Sequence, residues 1–365
     1  MSISKRALKI ESSGIRRVFD LAAKLDSPIN LSIGQPCFDA PEVLRKAAIS
    51  AIESNKNGYT QTQGIAPLRE KIFEKYGVSS SSSDHNVFVT GGVSGGLLLS
   101  YLAVLDVGDE VLIPDPYFCM YRDLANLISA VPVCYDTYPD FIQSASRIEP
   151  LITPKTKALV VNTPANPTGY AMSEGELKEI VELAKRHNLW LIYDEIYEFY
   201  CYDQPHPNAF GSYEKTIILN GFSKSHGVPG WRVGYAVGPR DVVDVMLKIQ
   251  QYSFVCAPSM AQWGLVSGFD WDFSSTLVDY TKKRDYVYEE LKNSYEVNKP
   301  GGAFYIFPKA PGGKGQEFVE RCIKNSLLVV PGNVFSSKDS HFRISFSASM
   351  ETLAKGVEVL KRLST

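Results

Sequence analysis

The stretch NGFSKSHGVPGWRVGY, residues 220–235, decides how this chain is read. It follows an apolar run of strand type, 215–219, and closes in a second, 232–237. Between them lie one lysine, Lys224, the small residues Gly221, Ser223, Ser225 and Gly227, the pair Pro229-Gly230, and Arg232. A lysine in a small-residue turn at the end of a buried strand is not where a solvated lysine usually sits. Desolvation and a nearby cation keep such an amine partly neutral and nucleophilic at pH 7, the state that forms a Schiff base. The guanidinium of Arg232 suits a phosphate, which it grips with two parallel hydrogen bonds. A surface turn with an ordinary Lys and Arg is the alternative, and the rest of the chain has to choose.

Outward from this turn one rhythm recurs. Apolar runs at 86–90 (NVFVT), 110–113, 131–135, 158–162 and 189–193 read as strands, continued by 216–219 and 232–237. Amphipathic patterns such as 96–105 and 174–187 separate them, and 41–54 and 67–76 are helical earlier in the chain. Short apolar strands alternating with helices predict an α/β fold, a mostly parallel sheet of the seven-stranded type covered on both faces. Ligands of such sheets collect at the carboxyl ends of the strands. Beyond about residue 267 the pattern shifts to a long charged helix, 277–292, and an α+β tail. The expected division is an arm and part of a small domain in 1–40, a large cofactor-binding domain in 41–275, and a small C-terminal α+β domain in 276–365. The serine run 79–83 reads as a surface loop.

Composition bounds the function. With 365 residues, 44% hydrophobic and 21% charged, the chain has ample material for more than one core. A net charge of −2 and the lack of a basic block argue against nucleic acid or an anionic membrane as partner. Six scattered cysteines with no C-x-x-C pair fit reduced thiols better than a disulfide framework or a metal site. The N-terminus lacks an apolar signal core and no stretch reaches transmembrane length, so a cytoplasmic location is expected.

The residues just past each strand supply the chemistry. After NVFVT comes GGVSGG, whose Gly92, Val93 and Ser94 offer backbone N–H groups, a helix N-terminus and a hydroxyl to an anion. A tight strand–helix turn is the plainer meaning, since no Walker or G-x-G-x-x-G pattern is present. After 110–113 comes PDPYF, where Phe118 or Tyr117 could stack on a planar ring or simply fill the core. NTPANPTG holds Asn166 on a Pro-flanked turn with its amide presented. YDEIY puts Asp194 at the end of an apolar strand, where a carboxylate must be paired, and Tyr197 one helical turn further on. A helix N-cap is the other use for Asp194.

One heterocycle accounts for the set. A phosphate meets Gly92–Ser94 and Arg232, an aldehyde meets Lys224, and Asp194 keeps a ring nitrogen protonated. Asn166 and Tyr197 hold a phenolic oxygen, and Phe118 covers the ring. That molecule is pyridoxal 5'-phosphate, an electron sink which the protein tunes.

With these motifs in this order, NTPANPTG, YDEIY and SKSHGVPGWRVGY, the chain resembles the fold-type I, class I/II aminotransferases, the aspartate, aromatic and alanine aminotransferase group, from about residue 30 to the C-terminus. The resemblance implies that Lys224 carries the cofactor as a Schiff base and moves the substrate Cα proton. It implies that Asp194 pairs the ring nitrogen, that Asn166 and Tyr197 bind the ring oxygen, that Val93, Ser94 and Arg232 hold the phosphate, that Phe118 stacks, and that Ser223 is among the cofactor-binding residues. NGYTQTQGIAPLRE resembles the segment whose tyrosine, here Tyr59, reaches the neighbouring subunit's phosphate, which implies a homodimer with shared sites. HFRISFS resembles the segment whose arginine, here Arg343, clamps the substrate α-carboxylate, with Gly34 closing on the same group. A structural ion pair is the other use for Arg343.

Two departures stand out. Many relatives carry a hydroxyl three residues before the lysine, where this chain has Gly221. Ser94 is followed by Gly95-Gly96 where relatives have a bulkier run. The expected activity is transfer of an amino group from an L-amino acid to a 2-oxo acid. A β-lyase or cyclopropane-forming synthase on the same fold, and a non-catalytic regulator that binds the cofactor, are the rivals. No motif places a cation for a substrate side chain; Arg16 and Arg17 stay unassigned, and residues 15–19 could cover the pocket as an apolar lid.

Overall fold

The computed structural model of the chain describes residues 3–8, 10, 14 and 27–364. The segment 15–19 and its two arginines therefore lie outside the described residues. In chain order, β1 (Ile29–Asn30) precedes α1 (Glu42–Glu53), α2 (Ala66–Lys75), β2 (His85–Thr90) and α3 (Gly92–Val104). Next come β3 (Glu110–Asp115), α4 (Cys119–Ile128), β4 (Val131–Asp136), β5 (Thr156–Asn162), α5 (Glu174–Arg186), β6 (Trp190–Asp194), β7 (Thr216–Gly221) and β8 (Gly234–Pro239). Helices α6 (Arg240–Ser253), α7 (Ser259–Gly268) and α8 (Ser274–Leu291) follow. The last part holds β9 (Tyr305–Ile306), α9 (Gly315–Lys324), β10 (Leu327–Leu328), β11 (Val330–Pro331), β12 (Phe342–Ser345) and α10 (Met350–Leu363).

Strands β2 to β8 form a seven-stranded sheet in the order β2-β8-β7-β6-β5-β3-β4. The pairs from β4 across to β7 are all parallel, while β8 runs antiparallel to both β2 and β7. No covering helix separates β7 from β8, so the chain reverses there instead of crossing over. Alternate residues serve opposite faces. Leu112, Val161, Tyr193 and Ile218 enter one core, and Ile113, Val160, Ile192 and Ile217 enter the other. Burial on both faces explains why these strands read as unbroken apolar runs.

A further core gathers Leu31 with Tyr280, Leu291, Phe304, Phe342 and Leu353. Here β11, β12 and β9 make an antiparallel sheet, and β1 pairs in parallel with β10, tying the N-terminal segment to the C-terminal part.

Element ends differ from the sequence reading at two informative places. Strand β8 begins at Gly234 and not at residue 232, because Arg232 adopts φ 54, ψ 46 and closes a 3-10 turn over Pro229–Trp231. Helix α3 begins at Gly92, four residues earlier than its apolar pattern suggests. Its glycines are poor helix formers, and burial of the helix overrides that preference.

Candidate active site

A cavity of about 360 Å³ lies at the carboxyl ends of β5, β6 and β7 and the start of α3. Its size suits one small planar ligand. Lys224, on the turn after β7, reaches into it and donates from Nζ to the Gly34 carbonyl at 2.5 Å. The Tyr200 hydroxyl fixes the Lys224 backbone from behind, donating to its carbonyl at 2.9 Å. Burial is the main cause that lowers the amine's pKa to about 8; the Arg343 and Arg232 cations add to it, and Asp194 opposes. The lysine is thus desolvated and faced by cations, the two conditions for a nucleophilic amine.

Asp194 is the last residue of β6, and its carboxylate faces the same cavity. Burial raises its pKa to about 6, against a hydrogen bond from the Tyr121 hydroxyl to Oδ2 at 2.7 Å and one from the Ile196 N–H to Oδ1 at 3.2 Å. The chain continues as turns with no helix starting there, so Asp194 is not a helix N-cap. Asn162, the last residue of β5, joins two neighbours: its amide donates to the Asp194 carbonyl at 3.1 Å, and its side-chain oxygen accepts the Asn166 N–H at 3.0 Å. The Tyr197 hydroxyl shares a 2.8 Å hydrogen bond with that of Tyr305.

At the other end, Arg232 donates to Ser94 Oγ at 2.9 Å and to the Pro229 carbonyl at 3.0 Å. Gly92 has φ +74, and a Cβ there would lie 2.5 Å from Arg232 Nη2, so only glycine leaves the guanidinium its place. The missing hydroxyl at position 221 has a steric reason. Gly221 pairs with Gly234 across the β7–β8 ladder, and a Cβ on it would come within 2.9 Å of the Gly234 Cα. Of the two nearby serines, Ser223 lines the cavity, whereas Ser225 bonds the His226 ring at 2.7 Å.

Arg343, on β12, is 1% exposed. Its guanidinium lies between the rings of Tyr305 (4.4 Å) and Phe335 (4.7 Å) and donates to Asn166 Oδ1 at 2.8 Å and to the Ser32 carbonyl at 2.9 Å. Among the described residues its Nε has no partner and no carboxylate pairs with it. A buried cation without a counter-charge is poised for an incoming anion.

Val93, Ser94, Phe118, Asn166, Asp194, Tyr197, Ser223, Lys224, Arg232, Gly34 and Arg343 all line this one cavity. The Tyr117 hydroxyl instead accepts from Arg122 at 2.8 Å, which leaves Phe118 as the ring facing inward. Gly92 backs Arg232 without lining the cavity, and Tyr59 stands 89% exposed outside it. Sequence reasoning did not single out Tyr121, Asn162, Tyr200 or Tyr305. Asn162 carries the strand-end signal that exposed Asp194. Tyr121 sits one helical turn past Phe118, and Tyr305 belongs to a run, GGAFYIF, that reads only as core.

A family model described as aminotransferase class I and II matches residues 26–360. The chain belongs to that family. A probable aspartate aminotransferase of Methanocaldococcus jannaschii is 36% identical over 99% of both chains. Aromatic-amino-acid aminotransferase 2 of Thermococcus litoralis is 33% identical over 100% of this chain and 98% of its own. The structure of a single mutant of Thermus thermophilus aspartate aminotransferase superposes with a TM-score of 0.93 at 32% identity, covering 100% of both.

This aminotransferase uses pyridoxal phosphate and acts on amino acids and 2-oxo acids. The residues present fit that cofactor. A cation, a hydroxyl and a helix N-terminus suit a phosphate, a buried carboxylate suits a pyridine nitrogen, and a buried amine suits an aldehyde. No helix among the described residues is long and apolar enough to cross a membrane.

Proposed function

We propose that the enzyme moves the amino group of an L-amino acid to a 2-oxo acid with Lys224 as the covalent anchor and the base. The observation that carries this is the Lys224 amine, buried, depressed to about 8 and set in one cavity with Asp194, Arg232 and Arg343. Pyridoxal phosphate, when bound, supplies a protonated ring that draws electrons from the substrate Cα.

The chain's own groups divide the remaining work. Arg232, the Ser94 and Ser223 hydroxyls and the N–H groups at the start of α3 hold the phosphate, while Lys224 Nζ holds the aldehyde carbon. Asp194 keeps a proton on the ring nitrogen, and Tyr121 keeps Asp194 ionised. Asn166 and Tyr197 donate to the ring oxygen, and Phe118 stacks on the face. Arg343 grips the substrate carboxylate, with Gly34 closing beside it, which orients the Cα–H bond toward Lys224. Lys224 Nζ, free once the substrate amine has taken its place, accepts that proton as a general base.

We further propose a homodimer in which Tyr59 completes the partner's phosphate site. Tyr59 and Tyr252 are 89% and 90% exposed. The Tyr59 loop is held in place by Ser259 donating to the Lys56 carbonyl at 2.6 Å and Gln250 to the Thr62 carbonyl at 2.8 Å. Two exposed tyrosines on a braced surface suit an interface. On this reading 27–40 with 276–365 and 41–275 are the halves between which substrate binds, the rest of the expected arm in 1–40 lying largely outside the described residues, and the six free cysteines suit the cytoplasm.

Purified protein given pyridoxal phosphate should turn yellow, and borohydride should bleach the band. Lys224→Ala should lose both the band's response and turnover. Retained activity in that variant would sink the assignment.

A further inference from the structure

Resting on the reading of Tyr197 above, we infer that Tyr305 is a positioning residue that sets the direction of the Tyr197 hydrogen bond. Each phenol has one hydrogen. If Tyr197 donates its own to the cofactor's ring oxygen, the 2.8 Å contact between the two hydroxyls requires Tyr305 to donate to Tyr197. The two phenols then form a relay, in which accepting one bond makes Tyr197 a better donor in the next.

Three features of the site fit Tyr305 as the driving end. Its ring lies 4.4 Å from the Arg343 guanidinium, whose charge favours negative character on the phenol oxygen and so strengthens donation from it. Burial raises its pKa while Arg343 opposes that rise. Its hydroxyl also occupies space that only a glycine at position 34 leaves open, since a Cβ there would lie 2.7 Å from it. Tyr197 itself is 3% exposed and packs edge-on to Phe304 at 5.2 Å, so its phenol has little freedom to choose another partner. The same relay connects Arg343, the cation for the substrate carboxylate, to the group that holds the ring oxygen.

The test is a pH titration of the visible absorbance of the loaded enzyme. A donor to the ring oxygen stabilises its charged form and lowers the midpoint. Tyr197→Phe should raise the midpoint by roughly one to two pH units, and Tyr305→Phe by about half a unit to one. In a double-mutant cycle, Tyr305→Phe should add almost nothing once the Tyr197 hydroxyl is gone, because its effect passes through that hydroxyl. Gly34→Ala should displace the Tyr305 hydroxyl and raise the midpoint, and it decides the matter if Tyr305→Phe does not fold, because a shift that passes through the relay must vanish in the Tyr197→Phe background while one that passes through Lys224 persists there. A shift in Tyr197→Phe with none in Tyr305→Phe or Gly34→Ala, or full additivity in the double variant, overturns the relay and leaves the cofactor reading intact. No shift in Tyr197→Phe overturns the placement of Tyr197 on the ring oxygen and the relay with it.

Discussion

The Tyr121 hydroxyl donates to Asp194 Oδ2 at 2.7 Å from a helix that the sheet topology places beside it. Asp194 needs that bond, because burial alone raises its pKa, and the net result is about 6. Only the carboxylate form can hold a proton on a pyridine nitrogen. Affinity of the apoprotein for pyridoxal phosphate should therefore fall as pH drops through about 6. In Tyr121→Phe a hydrogen bond worth about 1 kcal/mol is lost, and the fall should begin up to about one pH unit higher. Asp194→Asn should bind weakly at every pH, without this dependence. Fluorescence titrations of the three apoproteins between pH 5 and 8 check the order.

Lys224 makes the opposite demand on stability. Its pKa is depressed from 10.5 to about 8, chiefly by burial. Between those values the unfolded chain holds a proton that the folded chain has released, so this residue makes the apoprotein more stable as pH rises through the window. Below about 8 the folded protein carries a buried ammonium at a cost of about 3 kcal/mol at most. Lys224→Met should thus raise the melting temperature of the apoprotein at pH 7 and remove this part of its rise toward pH 10. A lower melting temperature at pH 7 contradicts the depressed pKa.

Much of this was legible in sequence, for physical reasons that also mark where legibility ends. The strands of the central sheet announce themselves because both faces are buried, and the residues after them are exposed as chemistry by their polarity alone. That is how Asp194, Asn166, Lys224 and Arg232 came into view. The start of β8 lies two residues beyond Arg232, where the apolar pattern begins, because a left-handed arginine is a backbone conformation and leaves no mark in composition. Tyr305 and Tyr121 were passed over since a buried tyrosine and a core aromatic look alike until the hydroxyl's partner is known. The glycine at 221 looked like a missing phosphate ligand; close packing of two backbones at Gly221 and Gly234 accounts for it.

Arg343 should not tolerate lysine. Its guanidinium fills the space between Tyr305 and Phe335 and already makes hydrogen bonds in two directions, to Asn166 and Ser32. An ammonium has neither the flat faces nor the fork. Arg343→Lys should raise KM for the amino acid by about 10- to 100-fold, equivalent to roughly 1.4–2.8 kcal/mol, with cofactor affinity changed far less. Single-turnover spectra at varied amino acid measure the first quantity, and titration of the apoprotein with pyridoxal phosphate measures the second.

Gly92 offers a sharper structural test. Alanine there must accept φ +74 and place a methyl 2.5 Å from Arg232 Nη2. Gly77 also has a positive φ, +65, but has nothing within 4 Å of its missing Cβ. Gly77→Ala should lose only the backbone cost of roughly 1–2 kcal/mol. Gly92→Ala should lose that and also weaken phosphate binding, so its affinity for pyridoxal phosphate should fall by at least about tenfold while Gly77→Ala keeps the native value. Equal affinity in the two variants would separate Arg232 from the phosphate.

Tyr59 has to act in a neighbouring copy if it acts on the cofactor at all, because in its own chain it points to solvent at 89% exposure. Tyr59→Ala and Lys224→Ala should each be nearly inactive alone at limiting pyridoxal phosphate. Unfolded together and refolded as a mixture, they should regain activity. In a mixed dimer one site draws Lys224 from one chain and Tyr59 from the other, and is whole. Random pairing makes half the dimers mixed, so about one site in four should recover. A chain that works alone, or that dimerises without sharing its sites, gives no recovery, since every site then lacks one of the two side chains.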